Sequence, residues 1–254
     1  MMMAAAAGVE RSLSSPSPCR RVAVSSLVGA SDAGGMLGRM TTTVRVLLES
    51  GRTKTFASAL DWPGWCRCGK GDEGALDALE GYADRYRAVA RGAGARFPAH
   101  LGLEIVDRVP GDATTDFGAP SVASTLEAGP LTPADLARQV SLLRAAWDAL
   151  DELAVSAPEQ LRKGPRGGGR DRDGVVDHVA EAERAYARKI GVRHPPFAAP
   201  GDVAVMRESI ATALLAGEAE GAWSPAYFLR RSAWHVLDHV WEIEDRIEPG
   251  PRSP

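Results

Sequence analysis

Four amphipathic segments in the second half of the chain constrain its fold more than any other feature. Each segment repeats apolar side chains at intervals of three and four residues, which is the spacing of one helix face. The first begins at Thr132-Pro133, a hydroxyl cap followed by proline at the first helical position. Four helices of comparable length favour a four-helix bundle. The predicted helices cover approximately residues 132–155, 174–190, 203–216 and 225–248.

The chain before residue 111 has a different pattern, typical of an α+β domain. Val44–Leu48 and Lys54–Leu60 are predicted as two strands of a hairpin, because their apolar residues alternate and a glycine turn separates them. A helix is predicted from Asp72, which would cap it, to Arg91. Residues 103–106 are predicted as a further strand.

These patterns predict a two-domain chain, in which a small α+β domain precedes an all-α four-helix bundle. The α+β domain is assigned to residues 41–110 and the bundle to residues 132–248. Residues 111–131, rich in Gly, Pro, Ser and Thr, are interpreted as a linker. Residues 1–40, rich in Ala, Ser and Gly, are expected to be a disordered extension.

Composition narrows the classes of partner. A net charge of −3 provides no electrostatic reason to expect nucleic acid or an anionic membrane as a partner. No apolar run approaches the length of a helix that crosses a bilayer. Three cysteines do not make a disulfide framework, so a cytoplasmic location is expected.

Three of the five histidines lie on predicted helices and suggest a metal site. His235 and His239 are one turn apart on the last helix, so both imidazoles lie on the same helix face. His178 lies on the second helix, beside its apolar stripe. Three neutral imidazoles suit zinc, nickel, iron or copper, with open positions for water or substrate. An ordinary solvated helix face is the alternative for the pair, and the third histidine on another helix argues against it.

Charged residues of the last helix suggest further roles. Glu242 follows His239 by one turn and is predicted to transfer protons or to support the metal ligand, with a surface glutamate as the alternative. Arg230 and Arg231 precede His235 by about a turn, and one of them is predicted to bind a carboxylate of a thiol cofactor or substrate, unless they form a solvated face. Three acidic residues are expected to pair with arginines of the same helix rather than surround the metal: Asp238, Glu244 and Asp245.

The segments Asp173–Glu183 and Tyr227–His239 resemble the DinB-like superfamily, over roughly residues 125–248. The resemblance implies a four-helix bundle with one histidine on the second helix and an HxxxH pair on the last. Members include metal-dependent transferases and isomerases that use a low-molecular-weight thiol such as mycothiol or bacillithiol. The implied partners are a small-molecule thiol and an electrophilic substrate, and such bundles can form homodimers. The implied ligands of a divalent metal are His178, His235 and His239.

The N-terminal domain has a resemblance of its own. Phe56–Cys66 and the following helix, with Glu73 and Ala75, are similar to the small HicB-like antitoxin domain over roughly residues 43–107. The resemblance implies a binding or dimerisation module.

Three hypotheses for the function follow. The first is a metal-dependent enzyme of the thiol-using transferase or isomerase type, in detoxification or stress response, with hydrolysis as the related reaction if water replaces the thiol. The second is a non-catalytic scaffold that contains a metal or binds a partner. The third is an antitoxin-like regulator that acts through the N-terminal domain. A fourth protein ligand to the metal would indicate the scaffold, and an open position would indicate the enzyme.

Overall fold

The first part of the protein is a four-stranded mixed sheet. A computed structural model describes residues 41–163 and 169–247, and the predicted extension over residues 1–40 lies outside the described residues. The strand order is β3-β2-β1-β4, with β1 antiparallel to β2 and parallel to β4. The strands are β1 (Thr42–Ser50), β2 (Thr55–Ala59), β3 (Cys66–Gly69) and β4 (Leu101–Pro110). The predicted hairpin and the later strand are confirmed, whereas β3 was not predicted.

The predicted helix over residues 72–91 is wrong in its continuity, because Tyr82 divides it. The two helices are α1 (Gly71–Gly81) and α2 (Ala83–Gly92). Tyr82 packs its ring against Trp241, with a centroid distance of 5.0 Å, and lies under the guanidinium of Arg67 at 4.0 Å. These contacts with other elements hold Tyr82 outside regular helix geometry. The periodicity of the local sequence does not reveal such contacts, because the partners are distant in sequence. Asp72 is also not the cap, since it lies in the first turn of α1 and pairs with Arg108.

The segment over residues 111–131, interpreted as a linker, contains local structure that is attached to the sheet. It comprises α3 (Ala113–Phe117) and a 3-10 turn over Thr125–Glu127. The buried carboxylate of Glu49 on β1 accepts hydrogen bonds from Thr115 Oγ1 at 2.6 Å, from Ser121 N at 2.9 Å and from Val122 N at 3.1 Å. One buried anion with three donors therefore holds the segment against the sheet.

The second part of the protein is helical, as the periodicity predicted. α4 (Pro133–Ser156) and α7 (Pro225–Arg246) each begin with proline after a hydroxyl cap. Thr132 Oγ1 accepts from Asp135 N at 3.1 Å, and Ser224 Oγ accepts from Tyr227 N at 3.2 Å, so each cap satisfies one amide of the first turn. The helices between them are α5 (Arg172–Ala187) and α6 (Asp202–Ala216). No helix in the described ranges is both long and apolar enough to cross a membrane.

The hydrophobic core is continuous between the sheet and the helical region. α4 contacts α5, α6 and α7, α5 contacts α6 and α7, and α2 contacts α4. The Pro63-Gly64 turn before β3 lies directly on α7, since a side chain at Gly64 would meet Leu237 Cδ1 at 2.6 Å. Gly64 also has a φ of +91°, so glycine is required there for both backbone and space. One buried cluster thus joins residues of β1, β2, α1, α2, α4, α5, α6 and α7.

The expectation that acidic residues of α7 pair with arginines of the same helix is wrong. Arg67 on β3 contacts Asp238 at 2.8 Å, and Arg85 on α2 contacts Asp245 at 2.5 Å and Glu244 at 3.9 Å. These ion pairs join α7 to the first part of the chain. The reason is that α7 lies against the sheet and α2. Arginines of β3 and α2 are therefore nearer to the carboxylates of α7 than the arginines of α7 itself.

Candidate metal centre

Three histidines from two neighbouring helices converge in the helical region. His178 is on α5, and His235 and His239 are on α7. The ring centroids are 5.1 Å apart for His178 and His235, 5.1 Å for His178 and His239, and 4.8 Å for His235 and His239. One nitrogen from each ring lies within 4.8 Å of the others. The prediction that these three residues share one place is confirmed, and the cluster could hold a metal ion.

The environment of His178 and His235 favours the neutral form of their imidazoles, which is the form that donates a lone pair to a metal. His235 is only 5% exposed, and its pKa is lowered well below the ordinary value, first by burial and then by the charges of His239 and Arg231. Burial, followed by the charges of His239 and Arg170, lowers the pKa of His178 to about 4. Both rings are therefore uncharged at neutral pH.

Glu242 orients one of the three imidazoles. Its Oε2 lies 2.7 Å from His239 Nδ1, while its Oε1 accepts from Arg246 Nη1 at 2.7 Å. A carboxylate is only an acceptor, so this contact assigns a proton to Nδ1, and coordination of a metal by His239 would use Nε2. Burial opposes ionisation of Glu242, but the bond with His239 and the charge of Arg246 outweigh burial and lower its pKa. Glu242 thus lies one turn beyond His239 and contacts its ring, and its role toward a metal ligand stays a prediction.

His235 Nδ1 supports the fit of the cluster to a cation. This atom is buried and has no hydrogen-bond partner in the part of the chain that the structure describes. A buried nitrogen without a hydrogen-bond partner lowers the stability of the fold. Coordination of a cation by one ring nitrogen would leave only the other ring nitrogen in need of a hydrogen-bond partner. Three convergent imidazole nitrogens are a donor set that zinc, nickel, iron and copper accept.

Both residues that precede the HxxxH histidines are attached to the sheet. Trp234 packs edge-on against Phe56 of β2, with a centroid distance of 6.0 Å, and Asp238 contacts Arg67 of β3. Trp234 directly precedes His235, and Asp238 directly precedes His239. The sheet thus fixes the rotation of α7 about its axis, and with it the direction of both imidazoles.

Arg230 forms a buried ion pair rather than lying free beside the histidines. Its Nε donates to Glu127 Oε1 at 2.6 Å and its Nη2 donates to Glu127 Oε2 at 2.9 Å and to Val122 O at 2.9 Å. These contacts hold the 111–131 segment on α7. The partner is 103 residues away in sequence, so helical spacing did not reveal it.

Arg231 has a different environment, made of aromatic rings. Its guanidinium carbon lies 5.1 Å from the ring centroid of Tyr186 on α5 and 4.7 Å from that of Trp234. Tyr186 is also a neighbour of His235, at 5.7 Å between centroids, and sequence reasoning did not connect it with the site. The missed signal was its spacing, since Tyr186 is eight residues, or about two turns, beyond His178 on one helix face.

No protein-family model, no curated protein and no solved structure matches this chain.

Proposed function

We propose that the protein is a metal-dependent enzyme that uses a small-molecule thiol to modify an electrophile, by S-transfer or isomerisation. In this proposal α4–α7 form a DinB-like four-helix bundle around the metal. The single observation that carries it is the convergence of His178, His235 and His239, with ligand nitrogens within 4.8 Å of one another. The resemblance of the segments around these histidines supports the choice of a thiol such as mycothiol or bacillithiol as the co-substrate.

The residues of the chain supply an oriented set of three imidazole donors. α5 and α7 hold the three imidazoles at centroid distances of 4.8–5.1 Å. Glu242 holds His239 with Nε2 available, and Arg246 holds Glu242. A bound divalent ion would lower the pKa of a coordinated thiol or water toward neutrality, which is the chemistry that S-transfer or hydrolysis requires. The three histidines are the candidate ligands within the described residues, and a tetrahedral ion held by them would keep one position for that molecule.

The N-terminal part enters the proposal as a HicB-like binding or dimerisation module that is joined to the metal centre through α7. Phe56 and Arg67 contact the residues next to His235 and His239. A molecule or second copy bound on the sheet would therefore act on the orientation of both imidazoles.

The first test is the metal content of the full chain by elemental mass spectrometry. Wild-type protein should carry about one equivalent of a divalent metal, and His178→Ala, His235→Ala and His239→Ala should each lose it while keeping helical circular dichroism. The chain offers matched controls, because His100 is exposed, His194 is half-buried, and both lie outside the cluster. His100→Ala and His194→Ala should keep the metal. Absence of metal from the wild type after reconstitution with zinc, nickel, iron and cobalt would contradict the proposal.

A second measurement separates the enzyme from the scaffold. Cobalt-substituted protein should develop a sulfur-to-cobalt charge-transfer band on addition of a thiol, because an open position admits the sulfur. A cobalt spectrum that no thiol changes would indicate a closed site and a non-catalytic metal. Thiol-dependent turnover of an electrophile, lost in His239→Ala, completes the test.

A further inference from the structure

Arg231 is a buried cation without an acidic partner among the described residues. It is 6% exposed, and its Nη1 is buried and has no hydrogen-bond partner within residues 41–163 and 169–247. Its contacts are the faces of Tyr186 and Trp234. These rings compensate part of the lost hydration of the guanidinium. They supply no conventional hydrogen-bond acceptor for its planar set of N–H donors.

The other buried arginines show what Arg231 lacks. Four arginines are buried in the described part of the chain, and the remaining three each contact a carboxylate. The pairs are Arg67 with Asp238 at 2.8 Å, Arg207 with Glu183 at 3.0 Å, and Arg230 with Glu127 at 2.6 Å. A buried charge is costly unless it is paired, so the environment of Arg231 is suited to an anion from outside the described chain.

Arg231 also lies beside the histidine cluster. Arg231, His235 and His239 follow one another at four-residue intervals on one face of α7, and four residues of a helix rise about 6 Å. Tyr186 touches both Arg231 and His235 from α5. On the same face of α5, Ala182 lies between His178 and Tyr186 and contributes only a methyl group. The cation and the three imidazoles thus border one region between α5 and α7.

We infer that Arg231 binds the carboxylate of an organic anion whose other end reaches the three-histidine centre. This inference rests on the proposed function for the position of the second end. A carboxylate fits because a single guanidinium supplies one positive charge and a planar pair of donors, which a carboxylate accepts in bidentate form. The substrate class is therefore a thiol or an electrophile that carries a carboxylate a few bonds from the atom at the metal centre.

The first arm of the test uses the full chain after removal of metal by a chelator, so that it does not depend on the metal. Thermal unfolding is measured with propionate and with propanol at constant ionic strength. Wild-type protein should be stabilised by propionate and not by propanol, because Arg231 binds the carboxylate. Arg231→Met should lose this difference. The matched control is Arg144→Met, which removes one positive charge from α4 at a residue paired on the surface with Glu208, and it should retain the difference.

The second arm uses cobalt-loaded protein and follows the charge-transfer band with β-mercaptopropionate and with its alcohol analogue mercaptopropanol. Wild-type protein should bind the carboxylate thiol about ten- to a hundredfold more tightly, the range expected for charge-assisted hydrogen bonds. Arg231→Met should bind both thiols equally while retaining cobalt. Arg231→Lys keeps the charge without the fork and should retain part of the preference.

The outcomes distinguish this inference from the proposed function. The wild type could bind no metal and still be stabilised by propionate, with this stabilisation lost in Arg231→Met. That outcome would support the anion site and overturn the proposal of a metal-dependent enzyme. Equal responses to the charged and uncharged compounds in wild type, or a preference that survives in Arg231→Met, would overturn the anion site. A large fall in the melting temperature of metal-free Arg231→Met, with no propionate effect in wild type, would assign Arg231 to an internal contact and overturn it as well.

Discussion

At the scale of single residues, the adjacent arginines Arg230 and Arg231 have different roles because they contact different groups. Arg230 has Glu127 and Val122 O as partners and serves to hold the 111–131 segment. Arg231 has two aromatic faces and no carboxylate within the described ranges. Helical spacing alone placed both about one turn before His235. The difference is tertiary, because a step of one residue turns the side chain about 100° around the helix axis.

Glu242 provides the sharpest prediction at this scale. Glu242→Gln keeps the size of the side chain but removes the charge that holds His239 Nδ1–H, so metal affinity should fall about ten- to a hundredfold. Competition with a chromophoric chelator measures the affinity. Glu244→Gln is the matched control, since Glu244 is an exposed acid on the same helix whose contact is with Arg85 at 3.9 Å. Equal affinities of Glu242→Gln and wild type would show that the contact with His239 does not support a metal ligand.

At the scale of elements, α7 is the helix on which the whole arrangement depends. It supplies two of the three histidines, and fourteen of its residues are buried. Its neighbours are α4 and α5 on the helical side, together with the sheet and the Pro63-Gly64 turn. Because Trp234 and Asp238 are attached to β2 and β3, a displacement of the sheet would turn both imidazoles of the HxxxH pair.

The contact of Arg67 with Asp238 should therefore affect stability and metal binding together. The two side chains are only 10% and 13% exposed, so the ion pair is largely buried. Arg67→Met or Asp238→Asn should each lower the free energy of unfolding by about 3 kcal/mol, which is the lower end of the range for removing one partner of a buried ion pair. A double-mutant cycle by denaturant unfolding measures the coupling. The exposed pair Arg45 and Asp61, at 3.0 Å, is the control and should couple by less than about 1 kcal/mol.

Metal affinity in Arg67→Met is the second readout of the same contact. It should fall relative to Arg45→Met, since only Arg67 touches the residue before His239. An unchanged affinity together with lowered stability would mean that the sheet supports α7 without orienting its histidines.

At the scale of the whole molecule, the two parts share one core. The largest buried cluster includes Val46 of β1, Tyr86 of α2, Leu143 of α4 and Val240 of α7. The Glu49 hydrogen bonds and the Arg230–Glu127 pair attach the intervening segment to both sides. A buried interface of this kind couples the folding of the parts it joins.

The described protein should accordingly unfold in a single transition. Far-ultraviolet circular dichroism, which follows the helices, and tryptophan fluorescence, which follows Trp65 in the sheet part as well as Trp147 in α4, should give coincident curves for the metal-free chain. Two separated transitions would contradict the continuous core and indicate independent domains. A fragment of residues 41–110 should expose the apolar face that α7 and α4 cover and should not fold alone.

Local signals in the sequence were sufficient for most elements and for the pairing of His235 with His239 on one helix face. Proline after a hydroxyl marks the starts of α4 and α7, and apolar alternation marks β1 and β2, because caps and periodicity depend on neighbouring residues only. The HxxxH spacing places His235 and His239 on one face for the same reason. Glu242 follows from this spacing too, since one turn of helix brings it to His239.

The tertiary structure decided everything that depends on residues distant in sequence. It divided the predicted helix at Tyr82, paired Arg230 with Glu127 and joined Asp238 to Arg67. It also brought His178 to the HxxxH pair and left Arg231 between two rings. Local pattern determines which side chains share a helix face, but the partner of that face is chosen by packing across the chain, where burial makes each unpaired charge costly.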